Sequence, residues 1–247
     1  MMQDIKTMMW KEWREYLSGS GARRRGNLGV IVFAIVVGVI LPASNKRSDF
    51  VHSALPIVLS AAYLPIFVII NVVADAFAGE RERHTLETLL ASRLSDRAIL
   101  FGKIASAVTY GWGLGLASAV LGLATANFTH GTGSVQLYSP DTVVAILGLG
   151  LLTSTLMATI GCLLSLRASS VRQVQQMLGV GVMCVVIIPL ILINLLSARQ
   201  RADLLHKLSQ LSGAQVAGGI GVILLALDIA LLAVAMSRFR RSRLILS

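Results

Sequence analysis

Long apolar runs alternate with short charged segments along the whole chain. A bilayer core about 30 Å thick is crossed by roughly 20 apolar residues in a helix, so each run is long enough for one crossing. The pattern predicts an all-α polytopic membrane protein, a single transmembrane domain over residues 1–247. The six predicted transmembrane helices lie at about 27–44, 54–78, 98–126, 143–166, 177–197 and 216–237.

The composition agrees with this pattern. Hydrophobic residues make up 55% of the chain and charged residues 14%, whereas about a quarter of a typical soluble domain is charged. Aromatic residues account for only 6%, so the excess consists of Leu, Val, Ile, Ala and Gly, which are typical of closely packed membrane helices. These values exclude an ordinary soluble enzyme.

The positive charge indicates an orientation. The 22 Lys and Arg exceed the 12 Asp and Glu, which gives a net charge of +10. Short cytoplasmic loops accumulate Lys and Arg, and 17 of the 22 fall on one side if the N-terminus is inside. We therefore expect a cytoplasmic-membrane protein with both termini inside. The charge is then explained by orientation and by attraction to anionic membrane lipid, and we expect no nucleic-acid partner.

The first 26 residues are amphipathic. Apolar residues recur at helical spacing at Ile5, Met9, Trp13 and Tyr16, which predicts an interfacial helix along the inner leaflet with its Trp at the headgroup level, followed by a basic turn. Two roles remain open for this helix. It either anchors the chain to lipid or also contacts a partner, and the residues concerned are Trp10, Glu12, Trp13 and Arg14.

A second amphipathic segment, residues 79–97, connects the second and third predicted spans. Its leucines share one helical face, and pairs of opposite charge four residues apart lie on the polar face, which predicts a short charged helix. Ser92, Ser95 and Asp96 are expected to end this helix and cap the next one. Amphipathicity alone leaves open whether the segment is a solvated connector or a functional element.

The residue order in this segment is more specific. The chain reads Glu80-Arg81-Glu82, then Thr85-Leu86-Glu87, Leu89-Leu90-Ala91-Ser92 and Gly102-Lys103. This order resembles the cytoplasmic loop of type-2 permease subunits of ATP-binding-cassette (ABC) exporters. The resemblance implies a coupling helix that sits in a cleft of an ATP-hydrolysing subunit. Its implied contact residues are Glu80, Glu82, Thr85, Leu86, Glu87, Leu89 and Leu90.

Two positions depart from the family's usual pattern. His84 stands where the family often has Gly, and Arg93 where it often has Pro. Because Gly loosens a helix and Pro ends one, His and Arg predict a straighter, more continuous helix here.

The chain has no phosphate-binding loop of its own. Its only Gly-Lys pair is Gly102-Lys103, where Arg97 replaces the earlier Gly and Ile104 replaces the hydroxyl residue of that motif. The resemblance therefore implies that ATP and Mg²⁺ bind a separate ATPase subunit and that this chain has no cofactor and no enzymatic activity alone. It also implies two permease copies, or this chain with a related one, in each complex.

Two carboxylates fall inside predicted spans, Asp75 and Asp228. Such groups are costly in a membrane and serve either as interhelical hydrogen-bonding groups or as part of a transport pathway. An ion-coupled carrier that uses both acids is the alternative function. An intramembrane aspartyl hydrolase is more remote, because the two acids differ in predicted depth by roughly 9 Å.

The exterior segments are short. Residues 198–215 carry leucines on one face, which predicts a small helix dipping into the outer interface, and the resemblance implies an outer gate there. No exterior segment is long enough to fold into a substrate receptor, which favours export from the cytoplasm or the inner leaflet. The sequence does not identify the cargo.

Overall fold

The computed structural model describes residues 2–18, 22–44, 51, 56, 58–130, 135–197, 199–200 and 212–239. These residues are almost entirely helical and include no strand, which confirms the all-α prediction for the described part of the chain. In chain order the helices are α1 (Met2–Ser18), α2 (Ala22–Ile35, continued by Val36–Ile40 and Leu41–Ser44), α3 (Val58–Glu82), α4 (Leu86–Leu90), α5 (Asp96–His130), α6 (Pro140–Arg167), α7 (Val171–Leu195) and α8 (Gly213–Arg238).

Four of the described helices, α3, α5, α6 and α8, are long and apolar enough to cross a membrane. They coincide with four of the predicted spans, and the chain is therefore a multi-pass membrane protein. The first predicted span corresponds to a shorter apolar helix, Gly29–Ser44. The fifth, 177–197, overlaps α7, which ends at Leu195 and is not among the four. The count of six and the orientation of the termini stay predictions, and most of the predicted helix at 198–215 lies outside the described residues.

Serine side chains fix the starts of three long helices. Ser95 Oγ accepts a hydrogen bond from the Ala98 N–H at 3.2 Å at the start of α5, as predicted. Ser139 accepts one from the Thr142 N–H at 3.2 Å before α6, and Ser212 forms a reciprocal capping box with Gln215 before α8. Each cap satisfies an N–H group that a helix start leaves without a partner.

The centre of the bundle is formed by α3, α5 and α6, which pack against one another. We call the end at which α3 stops and α5 begins the α4 end. The largest group of buried apolar side chains lies toward this end and includes Phe77, Ile99, Leu100 and Val174. α1 packs along α5, α7 contacts α3, and α8 lies against α6.

Candidate coupling site

The segment 79–97 is not one continuous helix. α3 continues to Glu82, a turn follows, and α4 is only five residues long. His84 in the turn has a φ of 55°, in the left-handed region that glycine adopts most readily. The expectation of a straighter helix is therefore wrong, because His84 takes the backbone conformation that a Gly at this position would favour. The break divides the segment into a root, residues 79–82, and a tip, residues 83–91.

The root is anchored by a buried ion cluster. Lys103 Nζ on α5 lies 2.9 Å from Glu12 Oε1 on α1 and 3.0 Å from Glu80 Oε1. The side chains of these three residues are 1%, 3% and 5% exposed, respectively, so water screens the pairs little. The ring of Phe77 lies 5.2 Å from Lys103 Nζ and adds a cation–π contact. The cluster thus joins α1, the end of α3 and α5 at one point.

Lys11 extends the cluster toward solvent. Its Nζ lies 3.1 Å from Glu80 Oε1, and its side chain is 43% exposed. Burial disfavours the charged form of Lys11, but the neighbouring carboxylates of Glu12 and Glu80 outweigh this effect and raise its pKa above 10.5. Lys11 therefore remains a cation across the physiological pH range, and its charge stabilises the Glu80 carboxylate at the solvent-exposed edge of the cluster.

The apolar stripe of α1 packs on α5. Met8 and Tyr16 are buried, and Trp13 Nε1 donates a hydrogen bond to Thr109 Oγ1 at 3.1 Å. Gly102 permits this contact, since a Cβ there would lie 2.7 Å from Met8 Cβ. Trp10, which is 70% exposed, is the tryptophan of α1 that faces outward. The predicted helix is present, and its position in the inner leaflet stays a prediction.

The root also contacts the connection between α6 and α7. Arg81 donates through Nη2 to the Leu166 carbonyl at 3.0 Å and through Nη1 to the Ala168 carbonyl. Glu82 Oε1 accepts the Val171 N–H at 2.9 Å, at the start of α7. Arg81 therefore caps the C-terminus of α6 while Glu82 caps the N-terminus of α7, each with the charge that suits that end of a helix.

A π-helical turn, Asp75–Gly79, lies directly before the root. The buried Ser165 of α6 accepts the N–H groups of Phe77 and Ala78 at 3.0 and 2.9 Å and donates to the Ala74 carbonyl at 3.2 Å. These bonds satisfy backbone groups that the π turn takes out of the regular helix pattern. Turns of this kind are frequent at functional sites.

The two intramembrane acids have different surroundings. Asp75 Oδ1 accepts from Arg83 Nη1 at 3.0 Å, so this acid is paired with the tip of its own loop. Asp228 on α8 is 3% exposed, and neither of its carboxylate oxygens has a hydrogen-bond partner among the described residues. Of these two acids, Asp228 is thus the one whose burial is not explained by any hydrogen bond within the described part of the chain.

The residues implied as ATPase contacts divide by exposure. Glu82, Thr85 and Glu87 are exposed, whereas Glu80 and Leu86 are buried within this chain, at 4% and 7% exposure. Leu89 is half-buried, and the side chain of Leu90 lies outside the described residues. Of the implied secondary contacts on α1, Trp10 and Arg14 are exposed and Glu12 is buried.

Sequence reasoning missed Lys103, Arg81 and Ser165 as members of the site. A signal was present for Lys103, because a lone cation inside an apolar run needs a partner. Glu12 lies four residues from both Met8 and Tyr16, on the same helix face, which marks it as a buried acid. Arg81 belongs to the residue order that carries the family resemblance, but its contacts could not be predicted, and Ser165 gives no signal at all, since the partners of both side chains are backbone groups. Within the described residues, no group of three or more His, Cys, Asp or Glu side chains could hold a metal ion.

Comparison with known proteins gives an assignment for this arrangement. The search of curated proteins gave no match. The family described as ABC-2 type transporter matches residues 3–197, which include α1, the ion cluster and the whole of segment 79–97. With four helices of spanning length and no phosphate-binding loop in its sequence, the chain belongs to the ABC-2 type transporter family as a transmembrane permease component.

Proposed function

We propose that this chain is the permease subunit of an ATP-driven exporter and that a separate ATPase subunit docks on the tip of segment 79–97. The observation that carries the proposal is the contrast between the exposed tip and its root, which three buried charged side chains fix to α1 and α5. A partner that pushes on such a tip also moves α1 and α5, because the ion cluster fixes the root to these two helices.

Direct contact with the ATPase is assigned to the exposed residues Thr85 and Glu87, with Trp10 and Arg14 of α1 as a secondary contact. Glu80 and Leu86 hold the tip in place from inside the chain. ATP and Mg²⁺ bind the ATPase subunit, where closure on ATP displaces the tip toward the bundle. The helices then rearrange and release cargo outward.

The rest of the assembly follows from the same proposal. A second permease copy or a related chain completes the complex, in a cytoplasmic membrane with both termini inside. The basic residues of the inner side contact anionic lipid, and no nucleic acid takes part. Short exterior segments favour cargo that enters from the cytoplasm or the inner leaflet.

Charge reversal at Glu87 tests the docking surface. The tagged full chain is purified from its own membrane, and the ATP-hydrolysing protein recovered with it is measured. We expect Glu87→Lys to lower the recovered ATPase about tenfold, which corresponds to about 1.4 kcal/mol of docking free energy. Asp141→Lys is the matched control, because Asp141 is exposed in the first turn of α6, whereas the root contacts the other end of that helix. Equal recovery with both variants, or no ATPase with the parent chain, contradicts the proposal.

An ion-coupled carrier is the second candidate function, and the buried carboxyl group of Asp228, for which the described part of the chain provides no hydrogen-bond partner, is the observation that favours it. The two functions differ in their energy source. Export that persists in a collapsed proton gradient with ATP held constant supports the ATP-driven reading. Export that stops under those conditions, and in Asp228→Asn at constant ATP, supports the carrier.

A further inference from the structure

The root of segment 79–97 is attached to two separate parts of the bundle. Glu80 faces the ion cluster with α1 and α5. The next two residues contact other helices: Arg81 donates to two carbonyls at the C-terminal end of α6, those of Leu166 and Ala168, and Glu82 accepts the first N–H of α7. Three consecutive residues therefore distribute any displacement of the tip over two groups of helices.

α7 differs from the helices around it in how it is held. Its buried side chains, Val174 and Leu178, lie in its first eight residues. Beyond Leu178, each of its described side chains is exposed or partly exposed, among them Val180, Met183 and Ile191. Val182, one turn beyond Leu178, is partly buried against the core, so the packing of α7 is concentrated at its N-terminal end, and a helix packed mainly at one end pivots about that end. In α7 that end is the one that Glu82 holds.

We propose that Arg81 and Glu82 are positioning residues that pass displacement of the tip to α7, so that α7 moves against α5 when the partner ATPase binds ATP. The inference rests on the proposed function and deepens it by naming the helix that responds. Ser165 supports the same path, because its hydroxyl group fixes the π turn before the root to α6. The path uses hydrogen bonds between charged side chains and helix ends, which are stronger than neutral ones.

A distance measurement between α5 and α7 tests the proposal. Spin labels are placed at the exposed positions Val120 on α5 and Met183 on α7, in a chain that carries Cys184→Ser. Cys162 is 1% exposed and out of reach of the label. The labelled chain is diluted with unlabelled chain so that each complex with the co-purified ATPase carries one pair. Pulsed electron paramagnetic resonance then gives the distance with and without a non-hydrolysable ATP analogue.

We expect the distribution of α5–α7 distances in the parent complex to change when the nucleotide binds. In Glu82→Ala we expect no such change. Glu82→Gln keeps an oxygen that accepts the Val171 N–H, so we expect this variant to show the same change in distance as the parent. A general structural defect caused by substitution at Glu82 would not produce this difference between Ala and Gln. Arg81→Lys is expected to respond only in part, since one ammonium group cannot replace the two-pronged contact with Leu166 and Ala168. Asp141→Asn is the matched control for an exposed acid.

The outcomes separate this inference from the function on which it rests. A parent preparation that contains no co-purified ATPase overturns the proposed function, whereas a parent complex that binds the analogue without any change in the α5–α7 distance overturns the inference. A parent that responds, together with Glu82→Ala and Arg81→Gln variants that respond equally, overturns the inference alone. Because Glu82 is exposed, its substitution leaves the core intact, and the amount of complex recovered checks this directly.

Discussion

The α4 end of the bundle and helix α8 are built in different ways. At the α4 end, ionic and backbone-directed contacts join parts of the chain that lie 69 to 91 residues apart. In α8, only 11% of the most apolar 18-residue window is buried, compared with 44% in α3. Most of its exposed side chains are apolar and include Val222, Ile223 and Ile229.

The contrast follows from the solvent. In a membrane, apolar side chains gain little by leaving lipid for protein, so helices that face lipid or a second copy need no polar contacts. Where a precise geometry is required, buried charges and hydrogen bonds provide it, because each unpaired group there is costly. Glu80 and Arg81 therefore serve as internal connections, whereas Glu87, Arg93 and Arg97 present charge outward.

Removal of the central cation should produce the largest effect. Lys103→Met leaves the buried carboxylates of Glu12 and Glu80 with only the half-exposed Lys11 as a shared cation, and we expect a loss of about 3–5 kcal/mol in the free energy of unfolding. Denaturant titration in mixed micelles measures it. Additional Glu12→Gln and Glu80→Gln substitutions should recover most of the loss, since no uncompensated charge remains. Arg97→Met, an exposed change in the same helix, should have little effect, and a Lys103→Met chain as stable as the parent would sink the argument.

A matched pair of isoleucines compares the two regions directly. Ile99 on α5 is 0% exposed and Ile223 on α8 is 63% exposed. Truncation to Ala should cost about 2–5 kcal/mol at Ile99, where a cavity forms, and less than about 0.5 kcal/mol at Ile223. The same micelle titration measures both. Equal losses would show that α8 is packed as tightly as the core and would remove the contrast between the regions.

The sequence predicted what depends on local signals. Long apolar runs placed α3, α5, α6 and α8, and Ser95 marked the start of α5, because helix length and capping are properties of neighbouring residues. The break at His84 was missed because the prediction rested on the absence of Gly and Pro, whereas a non-glycine residue takes the left-handed conformation here and the turn is closed by the Thr85 N–H, which donates to the Glu80 carbonyl at 2.9 Å. Family resemblance located segment 79–97, but only the structure separates Glu80, which is buried in the root, from Thr85 and Glu87, which are exposed at the tip.

Close contact between α1 and α5 gives a smaller effect. Gly102→Ala places a Cβ 2.7 Å from Met8 Cβ, which is backbone-proximal and cannot swing away, so α1 must shift at a cost of about 1–3 kcal/mol. Gly113→Ala is the control in the same helix, because a Cβ there meets nothing within 4 Å. It should stabilise α5 by up to about 1 kcal/mol through helix propensity. The two variants are thus expected to differ in sign in the same titration, and a shared sign would contradict the close contact.

The smallest effect concerns pH, because Lys11 lies at the solvent edge of the cluster. The carboxylates of Glu12 and Glu80 outweigh the burial of Lys11 and raise its pKa above 10.5. A group whose pKa is raised by folding stabilises the fold below its unfolded pKa, and this contribution is lost as pH rises through the folded value. The difference in unfolding free energy between the parent and Lys11→Met should therefore be constant from about pH 6 to pH 9 and shrink above about pH 10.5.

Because Lys11 is 43% exposed, added salt should reduce this difference, whereas the effect of Lys103→Met, deeper in the same cluster, should be largely insensitive to salt. Equal salt dependence of the two variants would place both lysines at the surface and contradict a buried root.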